Sequence, residues 1–345
     1  MTLFFVPQWP TPNRYPEEWI KWFPQEFRKH EVDFELVVPR HEFYELQEKG
    51  SYDTFSNLYN ASRFELEQCA RLIDKVIAGD TVFFADLDYP GFSVTCAQLL
   101  RRMYGDKIKI YGYMHAGSYC KGDYFEPIKD SKWDSETAMF KIVDGIFVGS
   151  EYHKQKLVFH LSTHLYAIKE DYDKVHVVGV PYYPNDDYHK PISERKWDVA
   201  YTSRMDVQKT DKYLLSLAKK MSHTKFVCTS KPSKELPNLE FYPVKNRQEY
   251  HYVLENSKIV FVPIAESTFG YNVLEALDYQ CIPICPNGFS YPEFVPKEFL
   301  YSNDFRVSRV SNKIKRFIND DSLIDFNFSP YRNCISKMLE VMDLV

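Results

Sequence analysis

Short apolar runs alternate along this chain with amphipathic stretches long enough for a helix, and that alternation admits one main solution, parallel sheets flanked by helices. TLFFV (2–6), FELVV (34–38), TVFFA (81–85), IKIYGY (108–113), GIFVG (145–149) and VHVV (175–178) read as strands. Helices fall between them at about 16–29, 61–78, 92–104, 133–143 and 151–159. The segment GVPYYPNDDYHKPISERK (179–196) has no apolar period and reads as a linker. A second series opens with WDVAYTS (197–203) and continues with KFVCT (225–229), LEFYPV (239–244), KIVFVP (258–263) and CIPIC (281–285). Its helices lie near 211–221, 246–256 and 270–279, and SPYRNCISKMLEVMD (329–343) reads as a terminal helix. The expected architecture is α/β: two Rossmann-like, doubly wound domains facing a cleft. Their bounds are 1–180 and 197–328, with a hinge at 181–196 and a C-terminal helix at 329–345. Ligands of such sheets sit at the carboxyl ends of the strands.

Composition narrows the function classes. The 345 residues carry 43 Lys+Arg against 48 Asp+Glu, a net charge of −5, which excludes a uniformly basic nucleic-acid coat but not a local phosphate-binding stripe. Aromatic residues reach 17% while glycines number only 12, so rings are available to line a cleft and glycines for phosphate loops are scarce. The seven cysteines (69, 96, 120, 228, 281, 285, 334) form no CxxC motif and read as buried thiols in a reducing compartment. Cys281 and Cys285 lie in an apolar run without a second ligand pair, so no metal site is expected there. MTLFFVPQWP lacks the basic start and full apolar core of a secretory signal, and no apolar stretch reaches about 18 residues. A soluble, cytoplasmic protein without a membrane partner is expected.

The strongest constellation opens the second series. Ser203-Arg204-Met205-Asp206-Val207-Gln208-Lys209 follows a strand and precedes a helix, which puts Arg204 and Lys209 at a strand's carboxyl end beside a helix start. Two cations and a helix dipole suit a diphosphate leaving group without a metal. A solvated basic turn is the plain alternative for this pair alone. About sixty residues on, IAESTFGYNVLEALDYQCIPICPNG (264–288) runs strand, loop, helix, strand. Gly270 there lets backbone amides approach a ligand, and Glu275, one turn into the helix, offers a carboxylate to a ribose diol. A helix-start acid favoured by the dipole is the alternative for Glu275.

R-x4-K followed by FG-x4-EA-x5-IP resembles the donor half of GT-B fold retaining glycosyltransferases, the large family of glycogen-synthase-like and bacterial glycan transferases. The resemblance covers about 90 residues of the second series and extends to the first only in its α/β layout. It implies that Arg204 and Lys209 grip the donor pyrophosphate, that Glu275 holds the ribose, and that Ser267, Thr268, Phe269, Gly270 and Tyr271 hold the sugar and phosphate. The family's acid before x7-Glu would fall on Ser267, and here the acid is Glu266, one residue early. The family's usual Gly before Ile-Pro is Gln280, and PQWPTPNRYP (7–16) stands where a Gly-Gly loop is usual.

In the first series IKIYGYM ends at His115-Ala116-Gly117-Ser118-Tyr119, and a histidine where a strand opens into a cleft is a candidate for contacting sugar or acceptor. The chain also resembles the phage 5-hydroxymethylcytosine DNA glycosyltransferases, which carry a His at this place, R-x4-K, and a Glu before an Ile-Pro strand. That family follows its His with Asp, whereas Ala116 stands here, so Asp86, Asp88 and Asp123 are the local carboxylates. Together with Tyr119 and Arg14 they are the acceptor-side candidates. Asp86-Leu87-Asp88 also matches the DxD of metal-dependent transferases, but a second complete α/β domain carries its own cationic diphosphate site.

Between 99 and 132, Arg101, Arg102, Lys107, Lys109, Lys121, Lys129 and Lys132 outnumber four acids, with Tyr111, Tyr113, Tyr119, Tyr124 and Phe125 interleaved and Trp133 next to them. Cations with rings suit a nucleic acid with an extruded base; a solvated helix face over core tyrosines suits the same residues. The resemblance implies a metal-independent enzyme with no required cofactor, using UDP-arabinose or UDP-glucose. The implied partner is modified duplex DNA, in a host cytoplasm if the chain is phage-encoded. Two alternatives stay open: a same-fold transferase acting on cell-envelope glycans, and a catalytically idle nucleotide-sugar-binding module.

Overall fold

The computed structural model describes residues 1–10, 15–39, 58–164, 172–185, 189–203, 211–320 and 324–345. They form two compact units, Met1–Pro181 with Pro330–Val345, and Tyr182–Ser329. Each is built on a six-stranded sheet in which every strand pair is parallel.

In the first unit the strands are β1 (Leu3–Val6), β2 (Phe34–Leu36), β3 (Thr81–Phe84), β4 (Lys109–Tyr113), β5 (Gly145–Val148) and β6 (Val175–Val177). Their spatial order is β2-β1-β3-β4-β5-β6. The inner strands LFFV, TVFF and GIFV are buried at every position, as expected where helices cover both faces. The helices are α1 (Tyr15–Lys29), α2 (Leu58–Lys75), α3 (Phe92–Tyr104), α4 (Lys129–Ile142) and α5 (Glu151–His164). Helix α1 starts with Glu17 and Glu18, ends with Arg28 and Lys29, and buries Trp19, Phe23 and Phe27 at four-residue spacing.

Much of the aromatic excess goes into this packing rather than into a cleft. Phe5 stacks on Phe23 at 4.8 Å and on Phe83 at 5.7 Å, and Trp19 meets Tyr113 edge-on at 5.0 Å. Rings of this size bury the most apolar area per residue, so a three-layer unit can close its core with few of them.

The second unit has β7 (Trp197–Tyr201), β8 (Phe226–Cys228), β9 (Leu239–Phe241), β10 (Ser257–Phe261), β11 (Ile282–Pro286) and β12 (Leu300–Tyr301), in the order β12-β11-β10-β7-β8-β9. Its helices are α6 (Lys212–Lys220), α7 (Arg247–Glu255), α8 (Tyr271–Asp278) and α9 (Val307–Ile318). Strand β12 and helix α9 lie outside the elements expected from the sequence, although Val307, Val310, Ile314 and Phe317 recur at helical spacing. The expected terminal helix is two helices, α10 (Ser329–Arg332) and α11 (Cys334–Val341). The second buries Cys334, Ile335, Met338 and Leu339 within the first unit, where His30 Nε2 lies 2.9 Å from Ser336 Oγ. Arg195, in the segment read as a linker, is buried and donates to the carbonyls of Lys190, Ser257, Tyr279 and Gln280.

Candidate functional site

In a doubly wound sheet the ligand crevice opens where the strand order reverses. In the first unit that point lies between β1 and β3, whose carboxyl ends carry Gln8 and Asp86. Gln8 Nε2 donates to Asp86 Oδ2 at 2.6 Å, and the amides of Asp88 and Tyr89 donate to Asp86 Oδ1 at 3.0 and 3.2 Å. Burial, reinforced by the neighbouring Asp88 charge, holds the Asp86 carboxyl well above the usual carboxylate range. Asp88 is buried and paired with Lys132 at 3.0 Å, and Lys132 Nζ also donates to the Asp88 carbonyl at 2.8 Å. That ammonium sits 4.2 Å above the Phe125 ring.

One turn further along α4, Glu136 accepts from both the amide and the hydroxyl of Ser118 at 2.6 Å. Burial first, and the Asp88 charge second, raise its pKa. Lys132 and Glu136 thus share one face of α4 and fasten the loops after β3 and β4. Tyr119 OH reaches His153 Nε2 at 2.7 Å, beyond the end of β5. His153 is 1% exposed, its Nδ1 has no hydrogen-bond partner, and burial keeps the imidazole neutral with a pKa of about 3.

His115 lies at the end of β4 among the rings of Tyr15, Trp19 and Tyr113, 4.6 to 4.9 Å away. Burial lowers its pKa to about 4, so Nε2–H donates to the Ala85 carbonyl at 2.9 Å and Nδ1 is an acceptor. Asp123 accepts from the Phe125 amide at 2.9 Å, and burial lifts it to about 7.

The first unit therefore brings His115, Asp86, Asp88, Tyr119 and Asp123 into one region, and Arg14 lies outside the described residues. Gln8, Glu136 and His153 are partners the sequence does not mark, and Ser118 and Lys132 enter it only as members of the strand-end segment and of the basic stretch. His153 had the same signal as His115, a histidine just past a strand; the Lys132–Glu136 pair had only i,i+4 spacing. The basic stretch 99–132 is partly consumed by the fold. Arg101 donates to the Ile142 and Ile108 carbonyls and pairs with Asp144, Lys109 also pairs with Asp144, and Lys132 is buried. Tyr113, Phe125 and Trp133 are core residues. Among the described residues no group of three or more His, Cys, Asp or Glu has metal-holding geometry.

The amino end of α3, also at this edge, is filled from within. The buried carboxylate of Glu65 on α2 accepts from the amides of Gly91, Phe92 and Ser93 at 3.2, 2.9 and 2.7 Å. It stands where a ligand phosphate would sit.

In the second unit the order reverses between β7 and β10. Thr202 and Ser203 end β7, and Arg204 and Lys209 beyond them lie outside the described residues. After β10 the loop through Glu266, Ser267, Thr268 and Phe269 is half-buried and delivers the chain to α8, whose N-cap Gly270 makes no side-chain cap. Gly270 has φ −98°, and an added Cβ would lie 2.8 Å from Tyr291 Cε1, so the close approach requiring glycine is to a ring of the protein itself. Phe269 stacks on Phe294 at 4.8 Å, and the Ser267 carbonyl accepts from Ser290 Oγ at 3.1 Å.

Glu275 is 7% exposed; Arg247 Nη2 lies 2.6 Å from Oε1, and Tyr250 OH donates to Oε2 at 2.8 Å. Burial opposes the Arg247 charge, but the Glu275 carboxylate outweighs it and holds the guanidinium pKa up. A carboxylate has about four lone-pair sites, so two remain for a diol. Arg247 and Tyr250, on α7, are site partners the sequence did not mark. Gln280 adopts φ +57°, the left-handed region, which accounts physically for the glycine usual there in the resembled family. Its side chain donates to the Ile324 carbonyl and accepts from the Ile324 amide. All seven cysteines are buried and unpaired, and among the described residues no helix is long and apolar enough to cross a membrane.

No family model matches the chain. A stretch of 109 residues is 32% identical to the tRNA-queuosine alpha-mannosyltransferase of Drosophila melanogaster, and the match spans 28% of each chain. Among solved structures, sucrose-phosphate synthase of Thermosynechococcus elongatus aligns with a TM-score of 0.63 and 12% identity, covering 100% of this chain and 96% of that one. Anabaena Alr3699/HepE, determined in complex with UDP and glucose, aligns with a TM-score of 0.61 and 11% identity, covering 100% and 97%. At these identities the likeness is one of fold, and the fold is GT-B, as the spacing of the second series predicts.

Proposed function

We propose that this chain is a UDP-sugar-dependent glycosyltransferase whose acceptor is a hydroxyl on a modified nucleobase within a nucleic acid. The observation that carries the donor half is the strand-order reversal between β7 and β10, where β7 is followed in the sequence by the Arg204–Lys209 run and β10 by the loop that leads into α8 and Glu275. The UDP complex of the HepE relative supports a uridine nucleotide. The local match to a queuosine-directed mannosyltransferase favours a nucleobase-borne hydroxyl over an envelope glycan.

In this reading Arg204 and Lys209 neutralise the diphosphate as the bond from the anomeric carbon to its phosphate oxygen breaks. Glu275, held by Arg247 and Tyr250, takes the ribose hydroxyls, and Glu266 to Tyr271 border the sugar. The acceptor oxygen attacks the anomeric carbon from the face the phosphate leaves, with retention, and its proton passes to the departing phosphate oxygen. UDP and the glycosylated base are the products. His115, neutral, accepts a hydroxyl hydrogen at Nδ1, and charge compensation comes from protein cations without a metal ion.

The first acceptor is 5-hydroxymethylcytosine in DNA, with arabinose or glucose as the sugar. A second reading, favoured by the curated match, is queuosine in tRNA. Mass spectrometry of nucleosides from both nucleic acids, after incubation with the protein and UDP-arabinose, UDP-glucose or a nucleotide-activated mannose, separates them. A pentose or hexose mass increment on 5-hydroxymethylcytosine supports the first, and an increment on queuosine alone supports the second. No increment on either, with UDP release intact, returns the acceptor to glycans; no UDP binding at all overturns the donor assignment.

A further inference from the structure

Helices α6 and α9 pack side by side on one face of the second sheet, with the Tyr213 and Phe305 rings 4.4 Å apart. Over 211–223 and 304–318 they and their flanks carry Lys212, Lys219, Lys220, Arg306, Arg309, Lys313, Lys315 and Arg316, against only Asp211 and Asp304. In a chain of net charge −5 this is a local inversion of sign. All but Lys313 of these cations are exposed, while Leu214, Leu217, Val310, Ile314 and Phe317 point into the core. Lys313 is half-buried and donates to the Glu298 carbonyl at 2.5 Å.

We propose that this face binds the phosphodiester backbone of the nucleic acid that the proposed reaction modifies. The inference deepens that reading and rests on it for the partner. Arg306 at the N-cap and Arg309, Lys313 and Arg316 within α9 recur at spacings of three and four, a stripe about 15 Å long. A DNA duplex presents roughly nine phosphate charges over such a length. Arginine forks match phosphate oxygens bidentately, and three of these four are arginines. Asp304 pairs with Arg306 at 2.8 Å and Arg309 at 3.5 Å, but these pairs are exposed and a polyanion displaces them at little cost. An anionic membrane would ask for an apolar rim, and among the described residues neither helix exposes a large hydrophobic side chain. Backbone contact of this kind fixes position without reading sequence, leaving the choice of base to the reaction site.

The test uses the full chain, a fluorescein-labelled duplex of unmodified DNA and no donor, with affinity followed by anisotropy from about 50 to 200 mM salt. The wild type is expected to bind with a log–log salt slope of about −0.9 per phosphate contact. Replacing Arg306, Arg309, Lys315 and Arg316 together by Gln should weaken binding at least tenfold and flatten the slope by about three. UDP-sugar hydrolysis and thermal melting should be unchanged. Should that variant melt early, the single exposed changes Lys315→Glu and Lys219→Glu should each weaken binding severalfold. Neutralising Arg102 and Lys107 on the first unit should change it less than about threefold. An unchanged slope in the quadruple variant, loss only on the first unit, or tighter binding to anionic vesicles than to duplex overturns the proposal. Failure of duplex binding with intact UDP-sugar hydrolysis defeats this face alone, whereas loss of hydrolysis and UDP binding in the wild type defeats the transferase reading.

Discussion

The two sheets are built alike, six parallel strands with helices on both faces, yet their strand orders differ and their carboxyl edges are put to different use. The first unit pairs many of its edge groups from within. Glu65 fills the amino end of α3, Asp88 is matched by Lys132, Glu136 is matched by Ser118, and Tyr119 by His153. In the second, the N-cap of α8 is Gly270, which has no side chain to offer, and the Arg204–Lys209 run follows β7 in the sequence. One edge is held largely by the protein's own pairs, and in the proposed reading the other receives an incoming anion.

The contrast can be broken most severely at Lys209. Lys209→Ala should lower turnover by about 10²–10³-fold, with smaller loss of UDP binding, because its charge counts most as the leaving group develops charge. Near-normal transfer by this variant would place the anion site elsewhere. Next comes Glu65. Glu65→Ala should cost about 3 kcal/mol in urea unfolding, since three amides, that of Ser93 fully buried, lose their acceptor, and sulfate should stabilise the variant more than the wild type. An unchanged midpoint would mean that α3 does not depend on an internal anion.

A smaller effect is expected from His153. Its folded pKa of about 3 lies below the unfolded value near 6.5, so the unfolded chain binds the proton first as pH falls. Its contribution is fully present above pH 6.5 and lost as pH drops through the range toward 3, at up to about 1.4 kcal/mol per pH unit. His153→Gln should flatten that acid limb in a pH series of melting temperatures; an identical limb in the variant would exclude this histidine. The least effect belongs to Gln280. Gln280→Gly relieves left-handed strain of about 1 kcal/mol while losing two hydrogen bonds worth about 1 kcal/mol each, so its stability should stay within about 1 kcal/mol of the wild type. Gln280→Ala keeps the strain and should melt lower than the glycine variant.

Strands were legible because fully buried parallel strands must be apolar at every position, and LFFV, TVFF and GIFV are. Glu275 lies on α8, in the strand–loop–helix–strand unit that the pattern of 264–288 predicts. Helix α9 lies outside the elements expected from the sequence although its apolar period is regular, and it carries the basic stripe of Arg309, Lys313 and Arg316. The stripe over 99–132 looked comparable in sequence, but Arg101, Lys109 and Lys132 are drawn inward to Asp144 and Asp88, partners 35 to 44 residues away along the chain.

By itself, the sequence determined the α/β layout and eleven of the twelve described strands, because these depend on local period. Only the tertiary structure decided which charges are spent and which remain. Glu65, Lys132, Glu136, Arg247 and Arg195 find their partners across 18 to 86 residues of chain, and no local pattern encodes such closures. Burial then turns each closure into a fixed proton or charge, since a low-dielectric interior admits a polar group only with its partner in place.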